Sequence, residues 1–203
     1  MKNLRFYKFY LSNPWRIVQQ LRYKSYLKKN PGVPWMSPKV IEFLATKIDE
    51  NFEVLEWGSG GSTAWFAKRA KKVLSVENNK NWYDKVSRTL KENKILNVDY
   101  RFIEADDSIK QDDFLKAGIV PDYVSVIHEY DESYFDMIIV DGSHRNICIN
   151  QAPKYIKPGG YLVLDNSNWM STEKWGIPKG WRMVSHHDVG VSCTSVWQKP
   201  IRD

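Results

Sequence analysis

Cysteine is nearly absent: Cys148 and Cys193 are the only two in 203 residues. Two are too few for a disulfide framework or a cysteine-held zinc site, and they point to a reducing compartment. The expected location is therefore the cytoplasm. No segment approaches the roughly 20 successive apolar residues that span a bilayer. The basic start of the chain lacks the apolar run of a secretory leader. Internal repeats and low-complexity tracts are missing too, which excludes solenoids and compositionally biased linkers. What remains is 42% hydrophobic and 27% charged, the make-up of one soluble α/β domain with a short appendage.

Acidic residues are missing from the first 41 positions, which carry nine Lys or Arg. The whole chain is +6, so the remainder sums to −3. The basic character thus belongs to an N-terminal arm, residues 1–34, ahead of a main domain at 35–203. The run Asn30-Pro31-Gly32-Val33-Pro34 marks the boundary. Aromatics interleave the arm: Phe6, Tyr7, Phe9, Tyr10, Trp15, Tyr23 and Tyr26. Such a mixture suits an anionic membrane surface, making the protein peripheral there, or a nucleic-acid backbone. It equally suits an arm that lays its aromatics on the core and keeps its lysines in water.

Helical spacing marks 14–29, with Asn13 as cap and Pro14 in the first turn, and 38–49 after Ser37. Strands then alternate with helices. Strands are expected near 52–57, 73–77, 98–104, 135–140 and 160–165, and helices near 62–70, 79–95, 122–129 and 145–156. The strand 135–140 and the run 161–164 are almost continuously apolar, as in strands covered on both faces. This alternation predicts a doubly wound, mostly parallel sheet. Residues 181–187 and 192–198 read instead as a closing antiparallel hairpin.

Two phosphate-binding signatures are also missing. The run Gly58-Ser59-Gly60-Gly61-Ser62 is not G-x-G-x-x-G, and no Gly-Lys-Ser/Thr follows it. It lies between an apolar strand ending in Glu56-Trp57 and a helix, and the next strand ends in Glu77. Glycines let backbone approach a ligand closely, and a carboxylate ending the second strand can grip ribose hydroxyls. An acid just before the turn suits an ammonium better than a phosphate.

These features, with Glu104-Ala105-Asp106, Phe135 to Gly142, and Lys157 to Asn166 in that order, resemble the class I S-adenosylmethionine-dependent methyltransferases over about residues 38–199. The resemblance implies a Rossmann-like sheet of seven strands whose last hairpin reverses one strand. It implies that Gly58, Ser59, Gly60, Gly61 and Ser62 pass under the methionine part of S-adenosylmethionine. Glu56 would hold its ammonium, Glu77 its ribose and Asp106 its adenine amino group, with Trp82 over the adenine face. Asp141 would lie against the cofactor as well.

The acceptor chemistry falls to the loops after the fourth and fifth strands, which end on one edge of a parallel sheet. Asp141, Asp165 and Asn166 offer three hard oxygen ligands for Mg²⁺, as in metal-dependent O-methyltransferases. The alternative is that Asp141 contacts the cofactor or caps a helix while Asp165-Asn166 makes a turn. His144 is the candidate base, with Asp141 beside it, and Arg145 can bind an acidic group or pair with Asp141. The expected activity is methylation of an oxygen on a small molecule or sugar. The competing readings are an RNA or protein methyltransferase guided by the arm, or a non-catalytic S-adenosylmethionine-binding protein. The Asn/Asp-Pro-Pro-aromatic motif of exocyclic-amine methylation is missing at Asp141-Gly142-Ser143-His144. A nicotinamide-dependent dehydrogenase is disfavoured by the glycine spacing and the hairpin.

Overall fold

A computed structural model describes residues 14–104, 111–190 and 192–201. Seven strands form one sheet in the order β3-β2-β1-β4-β5-β7-β6. They are β1 Glu53–Trp57, β2 Lys72–Glu77, β3 Val98–Phe102, β4 Phe135–Val140, β5 Ile156–Leu164, β6 Arg182–Asp188 and β7 Cys193–Gln198. β1 pairs in parallel with β2 and β4, and β4 with β5; β7 runs antiparallel between β5 and β6. The expected doubly wound sheet and closing hairpin are both present.

The helices are α1 Pro14–Lys29, α2 Pro38–Ala45, α3 Gly61–Ala67, α4 Lys80–Glu92, α5 Gln111–Ala117, α6 Asp122–Ser125 and α7 Arg145–Tyr155. Alternate residues of each central strand face opposite sides, and each side is covered. Leu55, Trp57, Leu74 and Ile138 meet Tyr123, Ile127 and Ile147 on one face. Val54, Val73, Met137 and Ile139 meet Val40, Leu44 and Phe66 on the other. Crossovers of parallel strands bring the C-terminal ends of β1, β2, β4 and β5 to one edge, where ligands bind in such sheets.

Several elements depart from the sequence reading. The helix expected over 38–49 ends at Ala45, where Thr46 turns its hydroxyl back onto the Phe43 carbonyl. The helix expected over 122–129 is one α-turn followed by a 3-10 turn at Val126–Glu129. β5 begins at Ile156, directly after α7 and earlier than expected. α5 and the 3-10 turns Ser167–Trp169 and Thr172–Trp175 were not foreseen. Asn13, the expected cap of α1, lies outside the described residues.

α1 is seated on the hairpin turn between β6 and β7. Arg16 donates to the Gly190 carbonyl at 3.2 Å and pairs with Asp188 at 3.3 Å. A Cβ on Gly190, whose φ is +91°, would come within 2.8 Å of the Arg16 carbonyl oxygen, so glycine is what lets the turn meet the helix. Among the described residues no helix is long and apolar enough to cross a membrane.

Candidate active site

β1 ends at the fully buried Trp57, whose indole N–H donates to the Tyr123 carbonyl at 3.0 Å. The chain then turns at Gly58, with φ +93° and its N–H bonded to Val76 O at 2.9 Å. A Cβ there would stand 2.5 Å from the Gly142 nitrogen. The loops after β1 and β4 therefore touch, glycine against glycine, and this contact sets the floor of the site.

Glu56 is completely buried. Its Oε2 accepts from Thr63 Oγ1 at 2.6 Å and Ser75 Oγ at 2.8 Å, and Thr63 Oγ1 in turn accepts the Gly60 N–H at 3.0 Å. Its other oxygen, Oε1, is buried without a hydrogen-bond partner, although Ser62 lies close enough to stabilise the charge. Burial pushes the Glu56 carboxyl up to about 7, against the lowering effect of its three hydroxyl neighbours. An incoming cation is what such a group lacks.

Glu77, at the end of β2, is also buried. Its Oε2 accepts the Ser59 N–H at 3.1 Å and the Ser59 hydroxyl at 2.8 Å. Its Oε1 accepts the N–H groups of Asn78 and Asn79 at 3.0 and 2.8 Å. Tyr100 of β3 reaches the Ser59 hydroxyl at 2.7 Å and stacks on Tyr83 with centroids 4.5 Å apart. Trp82, in the first turn of α4, donates to the Ser59 carbonyl at 2.7 Å and lies 5.9 Å from Trp35. The structure thus brings Glu56, Gly58, Ser59, Gly60, Gly61, Ser62, Glu77 and Trp82 around one turn. Asp106, the expected adenine contact, lies outside the described residues.

The loops after β4 and β5 converge as the parallel sheet requires. Arg145, the first residue of α7, ties them together. It donates to the Asp141 carboxylate at 2.9 Å, the Gly142 carbonyl at 3.0 Å, the Asp165 carbonyl at 2.5 Å and the Asn166 side-chain oxygen at 2.8 Å. Thr194 of β7 donates to Asp165 Oδ1 at 2.5 Å. The Asp141 and Asp165 carboxyls adjoin, and both are held above the usual carboxylate range. Burial is the first cause for each; for Asp141 the neighbouring Asp165 charge adds to it, and Arg145 offsets part.

A cavity of about 240 Å³ opens over this pair, lined by Tyr23 and Leu27 of α1, Trp35, Asp141, Asp165, Asn166 and Ser192. Tyr23 is half-buried here. Burial and then the charges of Asp165 and Asp141 hold its phenol in the protonated form. The arm therefore contributes a wall of the cavity.

The expected metal does not fit this donor set. The Asn166 oxygen already accepts from Arg145, so a guanidinium stands among the three expected ligands. Among the described residues no cluster of three or more His, Cys, Asp and Glu is gathered as a metal would need. His144 lies apart from the cavity. It immediately precedes α7, in the left-handed region at φ +52°, is 2% exposed, and sits edge-on to Phe114 and Tyr123 at 5.4 and 6.2 Å. Cys148 is fully buried in the core.

The sequence reading gave no site role to Thr63, Ser75, Tyr100, Tyr23, Leu27, Trp35, Ser192 or Thr194. Thr63 carries a local signal, a hydroxyl seven positions after Glu56 in the first turn of α3. The others arrive by long-range folding and leave no mark in local spacing.

No protein-family model matches the chain, and no curated protein matches it by sequence. Solved structures do match. A methyltransferase-like protein from Silicibacter pomeroyi superposes with a TM-score of 0.56 at 21% identity, over 82% of this chain and 89% of that one. An RNA methyltransferase from Salinibacter ruber, in complex with S-adenosyl-L-homocysteine, gives 0.50 at 17% over 84% and 96%. The [4+2]-cyclase SpnF gives 0.54 at 12% over 81% of each chain. The chain has the fold of the class I methyltransferases. A cyclase on the same fold means that activity has to be argued from the site.

Proposed function

We propose that the protein is an S-adenosylmethionine-dependent methyltransferase acting on a hydroxyl of a small molecule or sugar. The observation that carries this reading is the pairing of two differently arranged acids about one turn. Glu56 is buried with an oxygen unpartnered, and Glu77 is locked at the end of the next strand by Ser59 and the start of α4. The residues fit the cofactor: Oε1 of Glu56 answers the methionyl ammonium, and Glu77 and Ser59 together answer the ribose hydroxyls. Gly60 has no atom within 3.6 Å of where its Cβ would be, so its missing side chain leaves room above the turn. Bound S-adenosylmethionine supplies an electrophilic methyl group that departs from a sulfonium.

Asp141 and Asp165 take the acceptor side. A carboxyl pair held above its usual range is a better proton acceptor near neutrality than an ordinary aspartate. Here it would receive the hydroxyl proton as the acceptor oxygen attacks, while Arg145 and Thr194 keep both side chains aimed. Tyr23 and Trp35 would orient the acceptor, and positioning of this kind supplies up to roughly 7–11 kcal/mol in well-oriented reactions. Arg145 occupies the place of Mg²⁺ beside Asn166 and Asp141. A cavity of about 240 Å³ suits one sugar ring or a similar small group.

The test is calorimetry of the full chain with S-adenosylmethionine, followed by a screen of hydroxylated acceptors for S-adenosylhomocysteine release. Turnover that falls with Asp141→Asn, while cofactor affinity holds, supports the reading. An RNA acceptor is the second reading, favoured by the nine basic residues before Glu42. Salt-sensitive RNA binding that disappears with residues 1–30 would support it instead.

A further inference from the structure

α1 is oriented the wrong way round for a helix whose only task is to cover a domain. Its inward face carries Arg16, Gln19, Gln20, Tyr23, Tyr26 and Leu27, all partly buried. Its outward face carries Ile17 at 39%, Val18 at 37% and Leu21 at 61% exposure, with Trp15 at its margin at 61%. A surface helix ordinarily places its aliphatic stripe against the core and its polar residues in water. Here two glutamines and an arginine face the protein, and three aliphatics face out. Stepping round the helix at 100° per residue puts Ile17, Val18 and Leu21 on one exposed arc with Ser25 and Lys28. Lys24 borders that arc on one side and Arg22 and Lys29 on the other.

We propose that this outward face of α1 docks the protein on an anionic lipid bilayer. The flanking cations are placed so that their heads meet headgroups while their stems follow the aliphatics inward. Charge selects this occupant. The first acid in the sequence is Glu42, so the helix that carries Arg22, Lys24, Lys28 and Lys29 holds no acid of its own. A second copy docked through the same face would bring like charge against like charge, which disfavours a symmetric dimer through α1. A nucleic-acid backbone would satisfy the lysines but would leave Ile17, Val18 and Leu21 with nothing to bury them. The residues before α1 continue the same composition, with Leu4, Phe6, Tyr7, Phe9 and Tyr10 among Lys2, Arg5 and Lys8.

The inward face gives the docking a consequence. Tyr23 and Leu27 wall the cavity over Asp141 and Asp165, and Arg16 fixes α1 to the β6–β7 turn. A bilayer held by α1 would therefore lie beside the edge of the sheet that carries the site. The docking itself does not depend on methyl transfer, and it stands or falls by a separate measurement.

That measurement is co-sedimentation of the full chain with phosphatidylcholine vesicles, with and without phosphatidylglycerol. The expected result is binding only where the anionic lipid is present, weakened about tenfold or more by Ile17→Ser with Leu21→Ser and similarly by Lys24→Glu with Lys28→Glu. Thermal melting of each variant checks that the fold is retained, since all four side chains are exposed among the described residues. Wild-type protein that ignores anionic vesicles overturns the proposal. Vesicle binding that survives the Ile17/Leu21 change overturns it as well. So does binding to homopolymer RNA, without vesicle binding, that is lost only with the lysine changes.

Discussion

Thr63 donates its hydroxyl to Glu56 at 2.6 Å, tying the end of β1 to the first turn of α3 while the other carboxylate oxygen stays buried and unpartnered. The contact holds the acid rigidly and leaves it half-satisfied. Half-satisfied buried carboxylates are costly in their charged form, so their persistence points to a ligand that completes them.

Glu56→Gln should therefore stabilise the free protein at alkaline pH and weaken cofactor binding. Folding raises the Glu56 carboxyl from 4.5 to about 7, so the folded chain holds its proton more tightly than the unfolded one. Stability from this group is full below about 4.5 and is lost as pH rises to about 7, a change of about 3 kcal/mol. Denaturant titrations at pH 5 and pH 8 should show that fall in wild type and a much smaller one in Glu56→Gln. An unchanged pH dependence in the variant contradicts the account.

Ligand binding at Glu56 should also release a proton. Near pH 6 the free group is largely protonated, and an ammonium beside it favours the charged form. Calorimetry of S-adenosylhomocysteine in buffers of different ionisation enthalpy should detect release at pH 6 and little at pH 8. Glu56→Gln should abolish the difference.

Asp165→Asn should shift the acidic limb of turnover downward. Asp141 is raised by burial and then by the Asp165 charge. Removing that like charge lowers the Asp141 pKa, so the base stays ionised to lower pH. Asp141→Asn should instead cost about 10²–10⁴-fold in kcat. A limb that moves upward in Asp165→Asn would remove Asp141 from the base role.

Gly58→Ala should unfold or severely destabilise the chain. The new Cβ would lie 2.5 Å from the Gly142 nitrogen, at a φ of +93°, and backbone strain alone costs about 1–3 kcal/mol. Gly60→Ala meets nothing closer than 3.6 Å, so it should fold normally and reduce cofactor affinity. Equal melting temperatures for the two variants would argue against the close approach of the β1 and β4 loops.

The centre of the sheet was legible in the sequence because β4 and the end of β5 are nearly continuous apolar runs set between helix signals. The hairpin was legible from two short strand-like segments on either side of a turn that contains Gly190. The grouping of Glu56, the glycine turn and Glu77 was legible as well, since they lie within 22 residues of one another and follow the strand ends. The cluster after β4 and β5 was legible only in part. Asp141 and Asp165 could be placed on one edge, but a guanidinium and a metal satisfy the same carboxylate, and only the folded geometry puts Arg145 across both loops. His144 looked available because it follows a strand end, yet the left-handed turn at that position carries its ring in among Phe114 and Tyr123. Tyr23 could not be found from spacing, because α1 reaches the cavity through its seat on the β6–β7 turn.

The proposed chemistry depends on S-adenosylmethionine binding at the turn between Glu56 and Glu77. The decisive experiment is isothermal calorimetry of the full chain with S-adenosylhomocysteine. One saturable site, weakened at least about tenfold by Glu77→Ala in a variant that melts cooperatively, is the predicted result. A folded wild-type chain that binds neither S-adenosylhomocysteine nor S-adenosylmethionine would contradict it.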